Sequence, residues 1–268
     1  MLMYIQAIIL GIVEGVTEFL PISSTGHMII VDTFIHFDKS FREMFLIVIQ
    51  LGAILSVLIY FRDKLFPLGA LRDRAEFRRM FNIWLKAAVG VVPSLIVGGL
   101  FGKIIQRALF NVTTVAVALL IGGIALILIE RRKCKVVATD METLSYPRAF
   151  MIGCAQCLAM IPGTSRSAAT ILGGMMLGTS REVAVEYSFF LAIPTMMAAS
   201  AYSLMKDGAA LTRPQWIATG IGFLVSFLVA WGVIAFFMNY IRKRDFKLFG
   251  WYRIALGIVL LIYFGIGK

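Results

Sequence analysis

The most informative segment of the sequence is EGVTEFLPISSTGH, residues 14–27. It places ionisable and hydroxyl side chains inside sequence that is otherwise apolar enough for a membrane. Glu14 and Glu18 are four residues apart, so on a helix they lie on the same face. Pro21 ends that helix, and the serine and threonine hydroxyls after it can cap a second one. The stretch therefore predicts a hairpin of two short helices with a polar break.

The ionisable side chains of this stretch are costly to bury. An ionisable residue at the centre of a membrane-spanning helix costs about 2.5–3.5 kcal/mol on insertion scales. Glu14, Glu18 and His27 together would therefore cost roughly 6–10 kcal/mol if they faced lipid. We expect them instead to face the protein interior, at a functional site.

The composition of the whole chain indicates a membrane protein. Of its 268 residues, 60% are hydrophobic and 15% are charged, and the mean hydropathy is +0.88, which excludes a soluble domain. The net charge is +11, but the lysines and arginines cluster in short segments between apolar spans, as the positive-inside rule predicts. We therefore expect no nucleic-acid partner.

The lengths of the apolar segments predict an all-α polytopic membrane protein. Residues 1–35 and 147–178 each contain two pieces too short to cross a bilayer, separated by a break, which predicts two re-entrant helix hairpins. Six segments of ordinary length predict transmembrane helices at about 43–61, 83–102, 112–130, 183–205, 215–240 and 249–266. The loops on one side of this layout hold 16 lysines and arginines, and those on the other hold 7. The excess assigns the first side to the cytoplasm and both termini to the outside.

Sparse internal matches indicate an inverted-topology repeat. At an offset of 142 residues, for example, Ser23 matches Ser165. Together with the charge distribution, such matches predict a single membrane domain built from two halves of opposite topology, residues 1–132 and 147–268. The two polar breaks should then meet near the midplane and form one site.

The second break, PGTSRSAAT at residues 162–170, has the features of an anion site. Arg166 carries a planar donor group suited to phosphate and lies at a helix N-terminus, which itself attracts anions. Further hydrogen bonds to a substrate can come from the hydroxyls of Ser165, Ser167 and Thr170. A structural alternative pairs Arg166 with Glu14 or Glu18 to neutralise buried charge.

Glu14 and Glu18 also suit a hard divalent cation. Carboxylate oxygens are the ligands that Mg²⁺ and Ca²⁺ prefer, and either ion can be shared with the phosphate oxygens of a substrate. A bound ion would offset the cost of burying two anions. Alternatively, the two carboxyl groups share one proton.

Ser24 and His27 are three residues apart and can lie together on the second helix of the first hairpin. Such a pair suits a nucleophile with a base, or an acid for the leaving group. Alternatively, Ser24 only caps the helix, and His27 is itself the nucleophile or assists a water molecule. We assign Ser23 and Thr25 to substrate binding, and we expect Arg253 to snorkel or to pair near the end of its span.

The motifs EGVTEFLPISSTGH and PGTSRSAAT resemble the two signature motifs of the bacterial undecaprenyl pyrophosphate phosphatase family, which is associated with bacitracin resistance. The resemblance extends through nearly the whole chain and includes the segments VIQLGAIL and SFFLAIP. It implies an enzyme that hydrolyses undecaprenyl pyrophosphate to undecaprenyl phosphate and inorganic phosphate, and so recycles the lipid carrier of cell-wall synthesis. It also implies a divalent cation, a site open to the outer face of the bacterial cytoplasmic membrane, and competition with bacitracin for the substrate.

The resemblance also assigns functional residues by motif position. They are Glu14, Glu18, Ser24 and His27 in the first motif and Ser165, Arg166 and Thr170 in the second. Among them we assign catalysis to Glu18, Ser24, His27 and Arg166.

A flippase for an anionic lipid is the alternative function, because inverted repeats with broken helices around a midplane site are typical of transporters. A flippase would not need the acid–base pair of Ser24 and His27, and it would release no phosphate in detergent. Membrane lipid surrounds the protein on either interpretation. The sequence leaves the oligomeric state open, with a homodimer as one option.

Overall fold

The computed structural model describes residues 1–31, 33–35, 37–67, 73–132, 135–207 and 211–266. Eleven α-helices make up most of these ranges, so the predicted all-α class is confirmed for the described part of the chain. In chain order they are α1 (Leu2–Thr17), α2 (Ser24–Val31), α3 (Lys39–Tyr60), α4 (Arg62–Leu65), α5 (Arg74–Leu109), α6 (Val112–Arg131), α7 (Tyr146–Gln156), α8 (Arg166–Met176), α9 (Arg181–Asp207), α10 (Arg213–Lys243) and α11 (Lys247–Ile266).

Both predicted breaks are present, and the first begins earlier than expected. Helix α1 stops at Thr17, four residues before Pro21, and α2 is a helix of only 8 residues. Pro21 cannot donate a backbone hydrogen bond and disfavours helical geometry at the residue before it, so neither residue continues the helix, and residues 18–22 form turns before α2. The second break lies between α7 and α8, where a short 3-10 turn, Cys157–Met160, follows α7.

Five of the described helices are long and apolar enough to cross a membrane: α3, α5, α6, α10 and α11. The sixth predicted span corresponds to α9, which is 27 residues long. Protein rather than lipid surrounds its first half, because every residue from 183 to 193 is buried. Helix α9 therefore forms the central element against which the second hairpin and α3 pack.

Two helix crossings bring each hairpin close to a long helix. A Cβ atom on Gly11 of α1 would lie 2.7 Å from the carbonyl oxygen of Gly222 in α10. In the same way, a Cβ atom on Gly153 of α7 would lie 2.0 Å from the carbonyl oxygen of Gly90 in α5. Only glycine permits backbones to approach so closely, and small residues are the usual means by which helices associate in membranes. These crossings position α1 and α7, and with them the two breaks.

Candidate active site

The two breaks meet at an ion pair. Arg166, the first residue of α8, donates from Nη2 to Oε1 of Glu18, just after α1, over 2.9 Å. The two side chains are 13% and 7% exposed, so the pair is nearly buried. Arg166 also donates from Nη1 to the carbonyl oxygen of Ser188 at 3.0 Å, while its Nε has no hydrogen-bond partner among the described residues. The predicted alternative of an Arg166–glutamate pair is therefore present, and the Nε–H of the guanidinium is left for another acceptor.

A hydrogen bond from Ser24 adds a third side chain to this pair. The Ser24 hydroxyl donates to Oε2 of Glu18 over 3.0 Å, so each carboxylate oxygen of Glu18 has a different partner. A serine hydroxyl that donates to a carboxylate can transfer its proton when the oxygen attacks an electrophile. The Glu18 carboxylate is therefore placed to act as a base for Ser24.

A cavity of about 200 Å³ opens beside these side chains. Its lining combines one carboxylate, one guanidinium and several hydroxyls with few apolar groups. The lining residues are Glu18, Ser24, Thr25, Gln50, Ala159, Gly163, Ser165, Arg166 and Met196. Five residues assigned from the sequence to catalysis or to substrate binding therefore face one polar cavity, and Gln50 is a lining residue that sequence reasoning missed.

Glu14 lies one helical turn before Glu18 and is only 2% exposed. Its side chain contacts those of Glu18 and Gln50, yet its Oε1 atom is buried and has no hydrogen-bond partner among the described residues. An unpartnered buried carboxylate oxygen beside a second carboxylate fits a hard cation, which takes oxygen ligands. The residues present therefore fit a divalent metal ion held by Glu14 and Glu18.

Ser23 and Ser165 occupy equivalent places at the starts of α2 and α8. Both have a φ of 71°, and they are the described non-glycine residues with positive φ. Each side chain accepts a hydrogen bond from a backbone N–H three residues later, at 3.4 Å for Ser23 and 3.3 Å for Ser165. A strained backbone of this kind costs about 1–3 kcal/mol and is characteristic of functional sites. Of the two, Ser165 lines the cavity, and Ser23 is 1% exposed.

Ser167 and Thr170 bind protein groups and do not line the cavity. The Ser167 hydroxyl donates to the carbonyl oxygen of Leu20 in the first break over 3.0 Å. The Thr170 hydroxyl donates to Ser188 Oγ of α9 over 2.6 Å. Both residues are 0% exposed. They hold α8 against the first break and α9, which differs from the substrate contact that we expected.

His27 and Ser24 form hydrogen bonds with different partners. Its Nδ1 is 2.8 Å from the carbonyl oxygen of Ser23, so Nδ1 carries the proton. Its Nε2 is 2.6 Å from the hydroxyl of Tyr252 in α11, and the two rings are stacked with centroids 5.6 Å apart. Among the described residues, His27 and Ser24 share no hydrogen bond. Sequence reasoning missed Tyr252, because it lies 225 residues away and resembles any tyrosine near a membrane surface.

Arg253 corrects another expectation. Its side chain is 0% exposed and therefore does not snorkel, and among the described residues its donors bond to backbone carbonyls and to no acid. Nη1 reaches the carbonyl oxygen of Pro21 at 3.3 Å, and Nη2 reaches that of Gly163 at 3.1 Å, so one guanidinium bonds to both breaks. Two further bonds go to carbonyls of α6, whose Gly122 leaves the necessary room, since a Cβ there would lie 2.2 Å from Nη2.

Comparisons with known proteins show similarity over nearly the whole chain. A family model described as the bacitracin resistance protein BacA matches residues 7–259. Undecaprenyl-diphosphatase 1 of Clostridioides difficile is 51% identical over 261 residues, which are 97% of this chain and 95% of that protein. The undecaprenyl-diphosphatases of Limosilactobacillus fermentum and Lactiplantibacillus plantarum are 46% and 47% identical over 99% and 98% of this chain, with equal coverage of each relative.

Proposed function

The chain belongs to the family of the bacitracin resistance protein BacA, and on that basis we propose that it hydrolyses undecaprenyl diphosphate to undecaprenyl phosphate and inorganic phosphate. The reaction regenerates the lipid carrier of bacterial cell-wall synthesis. The observation that carries the proposal is the chain of Ser24, Glu18 and Arg166 beside a polar cavity. It combines a hydroxyl nucleophile, a base and an anion-binding group at one place.

The diphosphate binds where positive charge is concentrated. Arg166 presents a planar fork of donors, its Nε is unused, and the N-terminus of α8 adds the positive end of a helix dipole. The Ser165 and Thr25 side chains line the same cavity and can donate to phosphate oxygens. These groups hold the terminal phosphate within reach of the Ser24 hydroxyl.

Ser24 attacks the terminal phosphorus and passes its proton to Glu18. The new Ser24 Oγ–P bond forms as the bond from phosphorus to the bridging oxygen breaks, and undecaprenyl phosphate leaves with the electron pair. Water then attacks the phosphoserine, and the proton held by Glu18 returns to Ser24 as inorganic phosphate leaves. The geometry favours Ser24 over His27 as nucleophile, because Ser24 lines the cavity and both ring nitrogens of His27 are engaged.

A divalent cation, Mg²⁺ or Ca²⁺, is proposed at Glu14 and Glu18. When bound, such an ion neutralises charge on the transferred phosphoryl group and on the two carboxylates. The support is the unpartnered Oε1 of Glu14 next to the Glu18 carboxylate.

Chelation tests this assignment. Treatment of the purified protein with EDTA should lower phosphate release by at least about tenfold, because the ion contributes several kcal/mol to charge stabilisation. Adding Mg²⁺ or Ca²⁺ back should restore the rate, and Glu14→Gln should need more ion for half-maximal activity. Full activity in excess chelator would remove the metal from the proposal.

His27 takes up no proton in this mechanism, but its Nδ1 bonds to the carbonyl oxygen of Ser23, next to Ser24, so we expect the Tyr252–His27 hydrogen bond to position the nucleophile. The variant Tyr252→Phe removes the hydroxyl that bonds to His27 Nε2 and keeps the stacked ring. Because one hydrogen bond is lost, kcat should fall by up to about tenfold. KM and the melting temperature should stay unchanged. Tyr263→Phe is the matched control, because Tyr263 lies on the same helix, is 60% exposed and packs on Phe264. Equal kinetics in the two variants would mean that the hydrogen bond does not contribute.

The inverted repeat is proposed for residues 1–132 and 147–268, with α1–α2 and α7–α8 as re-entrant hairpins and α9 as a sixth crossing helix. Several observations support it. Ser23 and Ser165, which are 142 residues apart, share a φ of 71°. The glycine crossing of α1 with α10 corresponds to that of α7 with α5. Gln156, the counterpart of Glu14, is buried as Glu14 is, with exposures of 3% and 2%.

The protein is proposed to lie in the bacterial cytoplasmic membrane with its cavity open to the outer face, as the loop charges favour. Bacitracin would then compete for the same lipid substrate on that face. A homodimer is one possible assembly of the chain. Its mass in detergent would reveal the assembly.

Phosphate release from undecaprenyl diphosphate by purified protein in detergent tests the central proposal. Detergent removes the two compartments that a flippase needs, so release of phosphate separates hydrolysis from transport. Binding of the lipid without any release would favour the flippase.

A further inference from the structure

An apolar groove of about 540 Å³ runs between α6 and the α7–α8 hairpin. Its α6 wall includes Val117, Ile121 and Ala125, and its α8 wall includes Leu172 and Met176. None of the described residues that line it is charged. A groove with this lining favours a hydrocarbon chain over a polar ligand.

The groove and the polar cavity border the same turn. Thr164 lines the groove, while its neighbours Gly163 and Ser165 line the cavity. The same alternation occurs earlier, where Leu158 lines the groove and Ala159 the cavity. A ligand with its anionic end in the cavity therefore has its next atoms beside the groove.

The corresponding position beside the first hairpin is much narrower. At the equivalent position, between α2 and α11, the cavity is only about 80 Å³ and is lined by bulky residues such as Phe34 and Tyr263. His27, stacked on Tyr252, corresponds at the repeat offset to Ala169, which lines the groove. Aromatic side chains thus fill one side of the site, and the other side is open.

We infer that the groove between α6 and the α7–α8 hairpin binds the isoprenoid chain of the substrate, over the segment that follows the diphosphate. The inference rests on the proposed function and identifies the binding site of the isoprenoid chain. In the substrate the diphosphate is covalently joined to the isoprenoid chain. In the protein the polar cavity and the groove meet at residues 163–165, so one substrate molecule can occupy both. An acyl chain of the bilayer is the competing occupant, and it would make the groove irrelevant to substrate affinity.

Filling the groove tests the inference. In Ala125→Phe the new ring would occupy the middle of the groove, and Val117→Phe fills it at a second position if the first variant folds poorly. Ile124→Phe is the matched control, since Ile124 is adjacent on α6, 49% exposed and absent from the groove lining. The readouts are kcat and KM for undecaprenyl diphosphate, and the inhibition constant of inorganic pyrophosphate, which probes the polar cavity alone.

The groove variants should raise KM about tenfold, equivalent to the lost burial of about two methylene groups, with the pyrophosphate inhibition constant unchanged. The control should match the wild type. An unchanged KM, or an equal weakening of pyrophosphate, would overturn the groove as the tail site. If the wild type released no phosphate at all, the proposed function would fail and the groove assignment with it.

Discussion

Replacing Glu18 with glutamine should reduce phosphate release from undecaprenyl diphosphate by about a thousandfold while the protein remains folded. Glu18 accepts from Ser24 at 3.0 Å and from Arg166 at 2.9 Å. An amide of the same shape offers one acceptor oxygen and cannot take up the serine proton. General-base catalysis of this kind contributes about 10²–10⁴ to a rate, so its loss should dominate the effect.

The matched control is Glu142→Gln, because the Glu142 side chain is 64% exposed and pairs with Arg79 on the surface. It should turn over at the wild-type rate. Ser24→Ala should fall as far as Glu18→Gln, and the double variant should fall no further, because the two residues act in one step. Wild-type turnover in Glu18→Gln would remove Glu18 from the catalytic group.

Replacing Arg253 with methionine should destabilise the protein and abolish most of its activity. The change leaves the carbonyls of Pro21 and Gly163 buried without their shared donor, and each such orphan costs about 1–3 kcal/mol. A loss of roughly 2–6 kcal/mol is a large part of the stability of an ordinary domain. Activity should fall further than stability predicts, because the bond holds both breaks in register.

Thermal unfolding in detergent and phosphate release should be measured together. Arg242→Met is the control, since the Arg242 side chain is 57% exposed and its nearest acid, Glu182, is 3.8 Å away. Arg253→Lys should recover part of the stability but little activity, because an ammonium group cannot span both carbonyls as the planar guanidinium does. A methionine variant with native melting temperature and native kcat would show that the two breaks hold their positions without Arg253.

The fold and the core of the site could be predicted because their signals are local or strongly apolar. A charged side chain that faces lipid costs free energy, which predicts that Glu14 and Glu18 face the protein interior and that Arg166 binds an acceptor there. The sequence left open whether Arg166 pairs with Glu14 or with Glu18, and the structure shows the pair with Glu18. The last residue of α1 and the burial of α9 could not be predicted, because both depend on neighbouring helices that are distant in the sequence.

The contacts of Ser24, His27 and Arg253 show the limit of spacing arguments. Spacing places Ser24 and His27 on one helix, but it does not fix which atom each side chain bonds. In the structure Ser24 donates to Glu18, and His27 bonds to Tyr252 in α11. Arg253 looked like a cation at a span end, and only the folded chain reveals the carbonyls around it.

The guanidinium that bonds to both breaks also bears on how the protein is made. A ribosome delivers the chain from its N-terminus, so Glu18 enters the membrane before Arg166, and Arg253 follows both. Until Arg166 arrives, the Glu18 carboxylate lacks the counter-ion that it has among the described residues, and until Arg253 arrives the carbonyls of Pro21 and Gly163 lack their shared donor. We therefore expect a nascent chain to be inactive towards the lipid carrier until α11 is inserted.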